Sequence, residues 1–199
     1  LASLNTPGEM RIFAKRSRNH TELMFKNLKM PITIKKKGEI DFIKASRPDK
    51  LSSFNLDIPG DISSSAFFIA LTILSKNSHL VLKNINLNPS RLGIIRILNK
   101  MGAGIKTKNI KLNKGEKCGD IIVKSTKELK AINCPSYLNS SAIDEFLIIF
   151  LIAARSKGIS YFKNLSELNK KESPRLKLGS RILNLMGVKT KLTNNSIKI

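Results

Sequence analysis

The segments RLGIIRILNKMGA (Arg91–Ala103) and RLKLGSRILNLMGV (Arg175–Val188) are two copies of one pattern, and this repeat decides the fold. Both have the apolar spacing of an amphipathic helix, and both end in Leu-Asn-x-Met-Gly followed by Ala or Val. Gly102 and Gly187 stand where the C-terminal cap of such a helix is expected. A predicted strand follows each helix: Gly104–Lys108 and Lys189–Leu192.

The repeat continues upstream of these helices. Phe67–Ile85 (FFIALTILSKNSHLVLKNI) and Leu147–Leu165 (LIIFLIAARSKGISYFKNL) each have a long apolar segment, a polar break and a short apolar segment. The long segment is apolar on nearly all sides, which predicts a buried helix. The short segment is rich in strand-forming residues and predicts a strand, at His79–Leu82 and Ile159–Phe162.

A third, partial copy opens the chain. We predict a helix end, a strand, a helix and a pair of strands joined by a turn, at Leu1–Pro7, Met10–Phe13, Thr21–Leu28, Ile32–Ile34 and Asp41–Ile43. The repeated unit is therefore helix, strand, loop, helix, strand, strand. The first copy lacks its first half, two whole copies follow, and whatever should follow Ile199 is lacking, so we expect the chain to be a fragment.

The charge of the chain is strongly positive, with 36 Lys and Arg against 14 Asp and Glu. The lysines are spread along the chain, and the aromatic residues lie in apolar runs instead of beside basic ones, so specific nucleic-acid binding is not favoured. The longest apolar run, Phe146–Ala154, is too short to span a membrane. Cys118 and Cys134 are too few for a disulfide framework or a zinc site, and two free thiols indicate a reducing compartment.

Each repeat carries an arginine in the loop before its second helix: Arg18, Arg91 and Arg175. Helix N-termini and arginine forks both suit carboxylate and phosphate groups. Two aspartates, Asp61 and Asp144, precede the apolar helices at corresponding places, where they either cap the helix or act chemically. Lys, Glu and Arg are also clustered in Glu167–Leu176, which is either an anion-binding and proton-donating site or a solvated turn.

Six segments together resemble one known family over essentially the whole chain. They are LASLNTPG (Leu1–Gly8), RNHTE (Arg18–Glu22), PGDISSSAF (Pro59–Phe67), LNPSRLG (Leu87–Gly93), IDE (Ile143–Glu145) and ELNKKESPRL (Glu167–Leu176). Their order and spacing are similar to those of the EPSP synthase (3-phosphoshikimate 1-carboxyvinyltransferase) family.

The resemblance implies an α/β (α+β) fold of repeated βαβαββ units around buried helices, within a two-domain inside-out α/β barrel. Residues 1–55 would form the end of one globular half, and residues 56–199 would supply two units of the other half. It also implies transfer of the enolpyruvyl group of phosphoenolpyruvate to the 5-hydroxyl of shikimate 3-phosphate, with no metal and no organic cofactor. We expect a cytoplasmic enzyme, monomeric at full length, with no membrane or specific nucleic-acid partner, and inactive as this fragment alone.

The resemblance also assigns roles to individual residues. Asp144 would be the base on the 5-hydroxyl, and Glu172 would transfer the proton at the phosphoenolpyruvate methylene. Lys171 would contact shikimate 3-phosphate, Arg175 would hold phosphoenolpyruvate, and Arg18 would contact the phosphate of shikimate 3-phosphate. Asp61 and Arg91 lie in family segments but are expected to be structural.

Four residues depart from the family's usual sequence: Asn19, Asn169, Lys170 and Pro174. Asn169 and Pro174 leave open a relative that binds without catalysis, and two further alternatives rest on other grounds, so three stay open. One of these two is the related transferase acting on UDP-N-acetylglucosamine, although neither cysteine has that family's surroundings. The other is a basic nucleic-acid-binding module.

Overall fold

The structure, a computed structural model, describes residues 9–15, 17–50 and 53–199. The predicted helix end at Leu1–Pro7 lies outside the described residues. The strands are β1 (Glu9–Lys15), β2 (Ile32–Lys37), β3 (Ile40–Ser46), β4 (His79–Asn86), β5 (Lys106–Asn113), β6 (Glu116–Lys124), β7 (Tyr161–Phe162), β8 (Lys191–Leu192) and β9 (Ile197–Lys198). The helices are α1 (His20–Asn27), α2 (Ile62–Leu74), α3 (Gly93–Lys100), α4 (Phe146–Ala153) and α5 (Arg175–Leu185).

The three repeats form three small sheets with one topology. Their orders are β1-β3-β2, β4-β6-β5 and β7-β9-β8, so the last strand of each repeat lies in the middle of its sheet. All of these neighbours are antiparallel. Isolated parallel bridges join Gly60 to Ile85 and Asn133 to Tyr161. In the second and third repeats, a residue before the first helix of the repeat therefore pairs with the sheet like a very short strand. With this short leading strand, the second and third repeats have the βαβαββ order.

The Leu-Asn-x-Met-Gly ending acts as a helix stop. After α3, the Ala103 N–H donates to the Leu98 carbonyl at 3.0 Å, and the Gly102 N–H donates to the Asn99 carbonyl at 3.1 Å. This is the Schellman arrangement, and Gly102 has the positive φ of 94° that it requires. The same two bonds follow α5, where Gly187 has a φ of 82°.

The asparagine of this ending joins the helix to the next segment. Asn99 accepts a hydrogen bond from the Ile105 N–H at 2.9 Å and donates to the Ile105 carbonyl at 3.0 Å. In the last repeat, Asn184 accepts from the Thr190 N–H at 3.1 Å. The asparagine therefore sets the direction of the chain as it leaves the helix.

The hydrophobic core lies between the helices and the sheets of the second and third repeats. Phe146 and Phe150 of α4 are almost fully buried and contact Phe162 of β7, with ring centroids 6.1 and 5.3 Å apart. The prediction that α2 is buried on nearly all sides is wrong for one face, since Phe67 and Leu71 are 67% and 66% exposed. No part of the chain that the structure describes packs over that face.

Several helices and strands begin or end at residues other than the predicted ones. The strand predicted at Gly104–Lys108 begins later and runs to Asn113, because the Schellman turn and the Asn99 contacts occupy the residues before it. The helix predicted from Arg91 begins at Gly93, because Asn88 accepts from the Ser90 N–H and holds the preceding residues in a turn. Among the described residues, no helix has both the length and the apolar character that crossing a bilayer requires.

Candidate active site

Asp144 lies at the centre of a cluster of charged side chains. The Arg18 Nη2 atom is paired with one carboxylate oxygen, Oδ2. The other oxygen, Oδ1, is 3.2 Å from Arg175 Nη1 and 3.5 Å from Lys171 Nζ. The structure thus brings together four of the five site residues that the sequence predicted. All four side chains are partly exposed, between 24% and 38%.

The cluster depends on three separate turns of the chain. Arg18 lies in the loop between β1 and α1, and Asp144 lies in the turn before α4. Lys171 ends a short 3-10 turn at Ser166–Lys170, and Arg175 is the first residue of α5. Pro174 is the N-cap of α5 with a φ of −73°, which the proline ring favours, so this departure from the family sequence fits the local backbone.

Glu172, the fifth predicted site residue, lies at the edge of the cluster. Its side chain is 80% exposed, and its Oε2 accepts from Arg175 Nη2 at 2.8 Å. A hydrogen bond from its own backbone, together with the hydrogen bond and charge of Arg175, holds the pKa of Glu172 below its usual range. No contact between Glu172 and Asp144 occurs in the described part of the chain, and Arg175 links the two.

The electrostatics of Asp144 favour its ionised form. Partial burial raises the pKa of Asp144, but the Arg18 hydrogen bond and the charges of Arg18, Lys171 and Arg175 outweigh this and lower it. An ionised carboxylate can only accept protons or hydrogen bonds. Three cations against two carboxylates also leave the cluster net positive, which suits a site for anions.

Asp61 and Arg91 belong to a second, separate network. The Asp61 side chain caps α2 by accepting from the Ser64 N–H at 2.9 Å. Arg91 Nη2 donates to Asp61 Oδ1 at 3.0 Å and to Ser63 Oγ at 2.5 Å. Arg91 is therefore directed to the N-terminus of α2, which supports the structural role expected for both residues.

Glu145 and Ser63 are the members of this network that sequence reasoning missed. Ser63 Oγ donates to Glu145 Oε1 at 2.5 Å, and Glu145 is only 1% exposed. Burial raises the pKa of Glu145, although the Ser63 hydrogen bond opposes this. Because Glu145 directly follows Asp144, this contact ties the turn carrying Asp144 to α2. The adjacent acidic residues Asp144 and Glu145 were the available sequence signal for this contact. Neighbouring side chains on a turn point in different directions, so the pair indicates two separate sets of contacts.

Neither cysteine enters either network. Cys118 and Cys134 are both free and buried, and burial raises the pKa of Cys134 to about 11. Among the described residues, no group of three or more His, Cys, Asp or Glu side chains is placed to hold a metal ion.

Comparison with known proteins identifies a family that matches the chain. The family model described as EPSP synthase (3-phosphoshikimate 1-carboxyvinyltransferase) matches residues 1–199. A 3-phosphoshikimate 1-carboxyvinyltransferase of Thermodesulfovibrio yellowstonii is 39% identical over 201 residues, covering 100% of this chain and 46% of the relative. One from Hydrogenovibrio crunogenus is 34% identical, covering 100% of this chain and 45% of the relative. The chain thus spans less than half the length of these curated relatives.

Solved structures agree with the fold. A 2.37 Å structure of EPSP synthase from Acinetobacter baumannii has a TM-score of 0.87 at 33% identity, covering 97% of this chain and 43% of that one. The enolpyruvyl transferase NikO from Streptomyces tendae has a TM-score of 0.63 at 12% identity, covering 97% and 42%, and shows a shared fold alone. The predicted fold is confirmed, and these matches do not favour the UDP-N-acetylglucosamine or nucleic-acid alternatives.

Proposed function

We propose, from the premise that the chain belongs to the EPSP synthase family, that the complete protein transfers the enolpyruvyl group of phosphoenolpyruvate to the 5-hydroxyl of shikimate 3-phosphate. The products are 5-enolpyruvylshikimate 3-phosphate (EPSP) and phosphate. The observation that carries the proposal is the convergence of Arg18, Lys171 and Arg175 on Asp144. It combines a proton acceptor with cations for two anionic substrates in one place.

The proposed chemistry is an addition followed by an elimination. In the addition, Asp144 accepts the proton of the 5-hydroxyl while that oxygen bonds to C2 of phosphoenolpyruvate and the methylene carbon gains a proton. In the elimination, the methyl group formed loses a proton as the C2–phosphate bond breaks, which restores the double bond. We assign the proton transfers at this carbon to Glu172. Substrate binding draws Arg175 away from Glu172, whose exposed carboxylate then takes a proton from solvent, donates it to the methylene carbon in the addition and recovers it in the elimination.

The cations have two successive roles in this proposal. Without substrates they neutralise Asp144, and with substrates they bind phosphate and carboxylate groups, Arg18 and Lys171 those of shikimate 3-phosphate and Arg175 those of phosphoenolpyruvate. Substrate anions compete with Asp144 for the same donors. Asp144 therefore loses part of its charge stabilisation and becomes a stronger base when the site fills.

The domain division is part of the same proposal. Residues 1–55 belong to one half of the complete protein, and residues 56–199 supply two repeats of the other. Among the described residues, the continuous hydrophobic core is built from residues 62–199, and the β1-β3-β2 sheet contributes no member to it, which supports the division. Arg18 then reaches Asp144 from the opposite half, so both halves contribute to the site. We further propose that the complete protein is monomeric and cytoplasmic, which two free thiols fit.

The test uses the complete reading frame and, in parallel, the 199-residue chain. Each is incubated with both substrates, and phosphate and EPSP are quantified. We expect the complete protein to form both products in equal amounts and the 199-residue chain to form neither. A complete, folded protein that forms no EPSP contradicts the proposed activity. Product formation by the 199-residue chain contradicts the proposal that the fragment is inactive.

A further inference from the structure

A closed ring of hydrogen bonds holds the segment that carries Arg18. Glu116 of β6 accepts from His20 Nδ1 at 2.7 Å and from Asn86 Nδ2 at 2.5 Å. Asn86 Oδ1 accepts from the Asn88 N–H at 2.9 Å, and Asn88 Nδ2 donates to Asn19 Oδ1 at 2.9 Å. Since Asn19 and His20 are neighbours in the chain, the contacts close on themselves, and Arg18 directly precedes them.

The ring joins the first repeat to the second. Asn19 is the N-cap of α1, yet its side chain makes no capping bond and contacts Asn88 instead. Asn88 is only 2% exposed, and the Glu116 side chain is 17% exposed. Shielded hydrogen bonds to a carboxylate are stronger and more directional than those at an open surface. The ring therefore restricts the backbone on the C-terminal side of Arg18.

The position of Glu116 is set by a tight hairpin. Asn113 pairs with Glu116 across a two-residue turn in which Lys114 and Gly115 have φ values of 48° and 88°. Positive φ at both central residues is the type I′ geometry, which fits the twist of a hairpin. A Cβ on Gly115 would lie 3.4 Å from the Leu23 carbonyl oxygen, so the turn lies directly against α1.

We infer that Glu116 is a positioning residue, which acts through His20 and through the Asn86–Asn88–Asn19 contacts to aim Arg18 at the anion-binding site. This inference rests on the proposed function, because it deepens the role of Arg18 as a ligand of shikimate 3-phosphate. Glu116 itself contacts none of the charged residues around Asp144 in the described part of the chain. Its effect must therefore pass through the segment 18–20.

A double-mutant cycle in the complete protein tests this coupling. Glu116→Ala should raise the Kd for shikimate 3-phosphate about tenfold, because a ligand group displaced by about 1 Å loses much of its effect. The same change in an Arg18→Ala background should have little further effect, because there is no arginine left to position. Equal effects of Glu116→Ala in both backgrounds would overturn the inference. The KM for phosphoenolpyruvate should change little in Glu116→Ala.

A pair of variants at His20 probes the same contact from the other side, should Glu116→Ala not fold. His20→Asn keeps an N–H donor near the position of Nδ1, whereas His20→Leu removes it. We expect His20→Leu to weaken binding of shikimate 3-phosphate and His20→Asn to restore most of it. Equal binding by the two variants would contradict the inference.

Asp120→Ala is the matched control. Asp120 lies on the same strand β6 and also accepts two hydrogen bonds, from the Asn84 N–H at 3.0 Å and from Asn109 Nδ2 at 2.7 Å. It makes no contact with residues 18–20 in the described structure, so its Kd for shikimate 3-phosphate should match that of the wild type. Loss of binding equal to that of Glu116→Ala would mean that damage to β6 is sufficient, and would overturn the inference. A wild-type protein that forms no EPSP refutes the proposed function, whereas an active wild type with an additive cycle refutes the positioning role alone.

Discussion

Arg18 and Asp144 are 126 residues apart in the sequence and form a salt bridge in the structure. The guanidinium comes from the first repeat and the carboxylate from the third, so the pair exists only when the repeats are assembled. Lys171 and Arg175 approach the other oxygen of the same carboxylate. Asp144 is thus the point at which distant parts of the chain converge, and it is the first residue to test.

Asp144→Asn in the complete protein should lower kcat by about 10²- to 10⁴-fold, the usual contribution of a general base. The amide keeps the shape of the side chain but cannot accept the 5-hydroxyl proton. The KM values for both substrates should change much less than kcat, which steady-state kinetics would measure. Glu128→Gln is the control and should remain active, because the Glu128 side chain is 65% exposed and lies outside the cluster around Asp144. Near-normal turnover in Asp144→Asn would refute the assignment of the base.

The stability that Asp144 contributes should depend on pH. Its pKa in the folded protein lies below the ordinary value of 3.8, because the three cations outweigh the effect of burial. The stabilisation is therefore fully present above that ordinary value and is lost as the pH falls through the folded pKa. Tm measurements on the wild type and Asp144→Asn should show the wild type as more stable near neutral pH, with the difference shrinking as the pH falls below that ordinary value. A difference that persists in acid would mean that the ion pairs are not its source.

Arg175→Lys should weaken the binding of the two substrates to different extents. Lysine keeps the charge but loses the fork that contacts Asp144 and Glu172 together. We expect the KM for phosphoenolpyruvate to rise about tenfold and the KM for shikimate 3-phosphate to rise less, since one charged hydrogen bond is worth about 1.5–3 kcal/mol. Arg181→Lys, at an exposed position of the same helix, controls for general effects on α5. An unchanged KM for phosphoenolpyruvate would contradict the role given to Arg175.

The stability of the helix C-terminal caps should depend on the backbone conformation of the glycine more than on the room around it. Gly187 has a φ of 82° and nothing within 4 Å of an added Cβ, so Gly187→Ala introduces strain without a steric clash. We expect it to lower the free energy of unfolding of the complete protein by about 1 kcal/mol, measured by denaturant titration. Gly104→Ala is matched in having open space, but Gly104 lacks a positive φ, so its effect should be close to zero. Equal effects of the two substitutions would contradict the interpretation that the positive φ of Gly187 is what the cap requires.

Local patterns explain which parts of the molecule the sequence predicted well. Residues close together in the chain determine the repeats, the helix ends at Gly102 and Gly187 and the strand pair predicted at Ile32–Ile34 and Asp41–Ile43. The described part of the structure contains these features. The meeting of Arg18, Lys171 and Arg175 at Asp144 was anticipated through the family segments, not through periodicity.

Contacts between repeats account for the features that the sequence did not predict. Glu145 binds Ser63 and Glu116 binds His20 across 82 and 96 residues, and no local pattern marks such polar pairs. The exposed face of α2 was missed for a related reason. Its sequence is apolar on all sides, but how much of a helix is covered depends on its neighbours.

The loop arginines show how a symmetric scaffold can yield an asymmetric site. Arg18, Arg91 and Arg175 occupy equivalent places in three copies of one folding unit, yet Arg91 points to the α2 cap while the other two meet at Asp144. Duplication therefore places an arginine near the start of the second helix of each unit, and its contacts distinguish the arginine at the α2 cap from the two that we propose bind substrate. Protein engineering could redirect the Arg91 side chain toward a new anionic ligand without changing the other two arginines, provided that another group replaces its contacts at the start of α2.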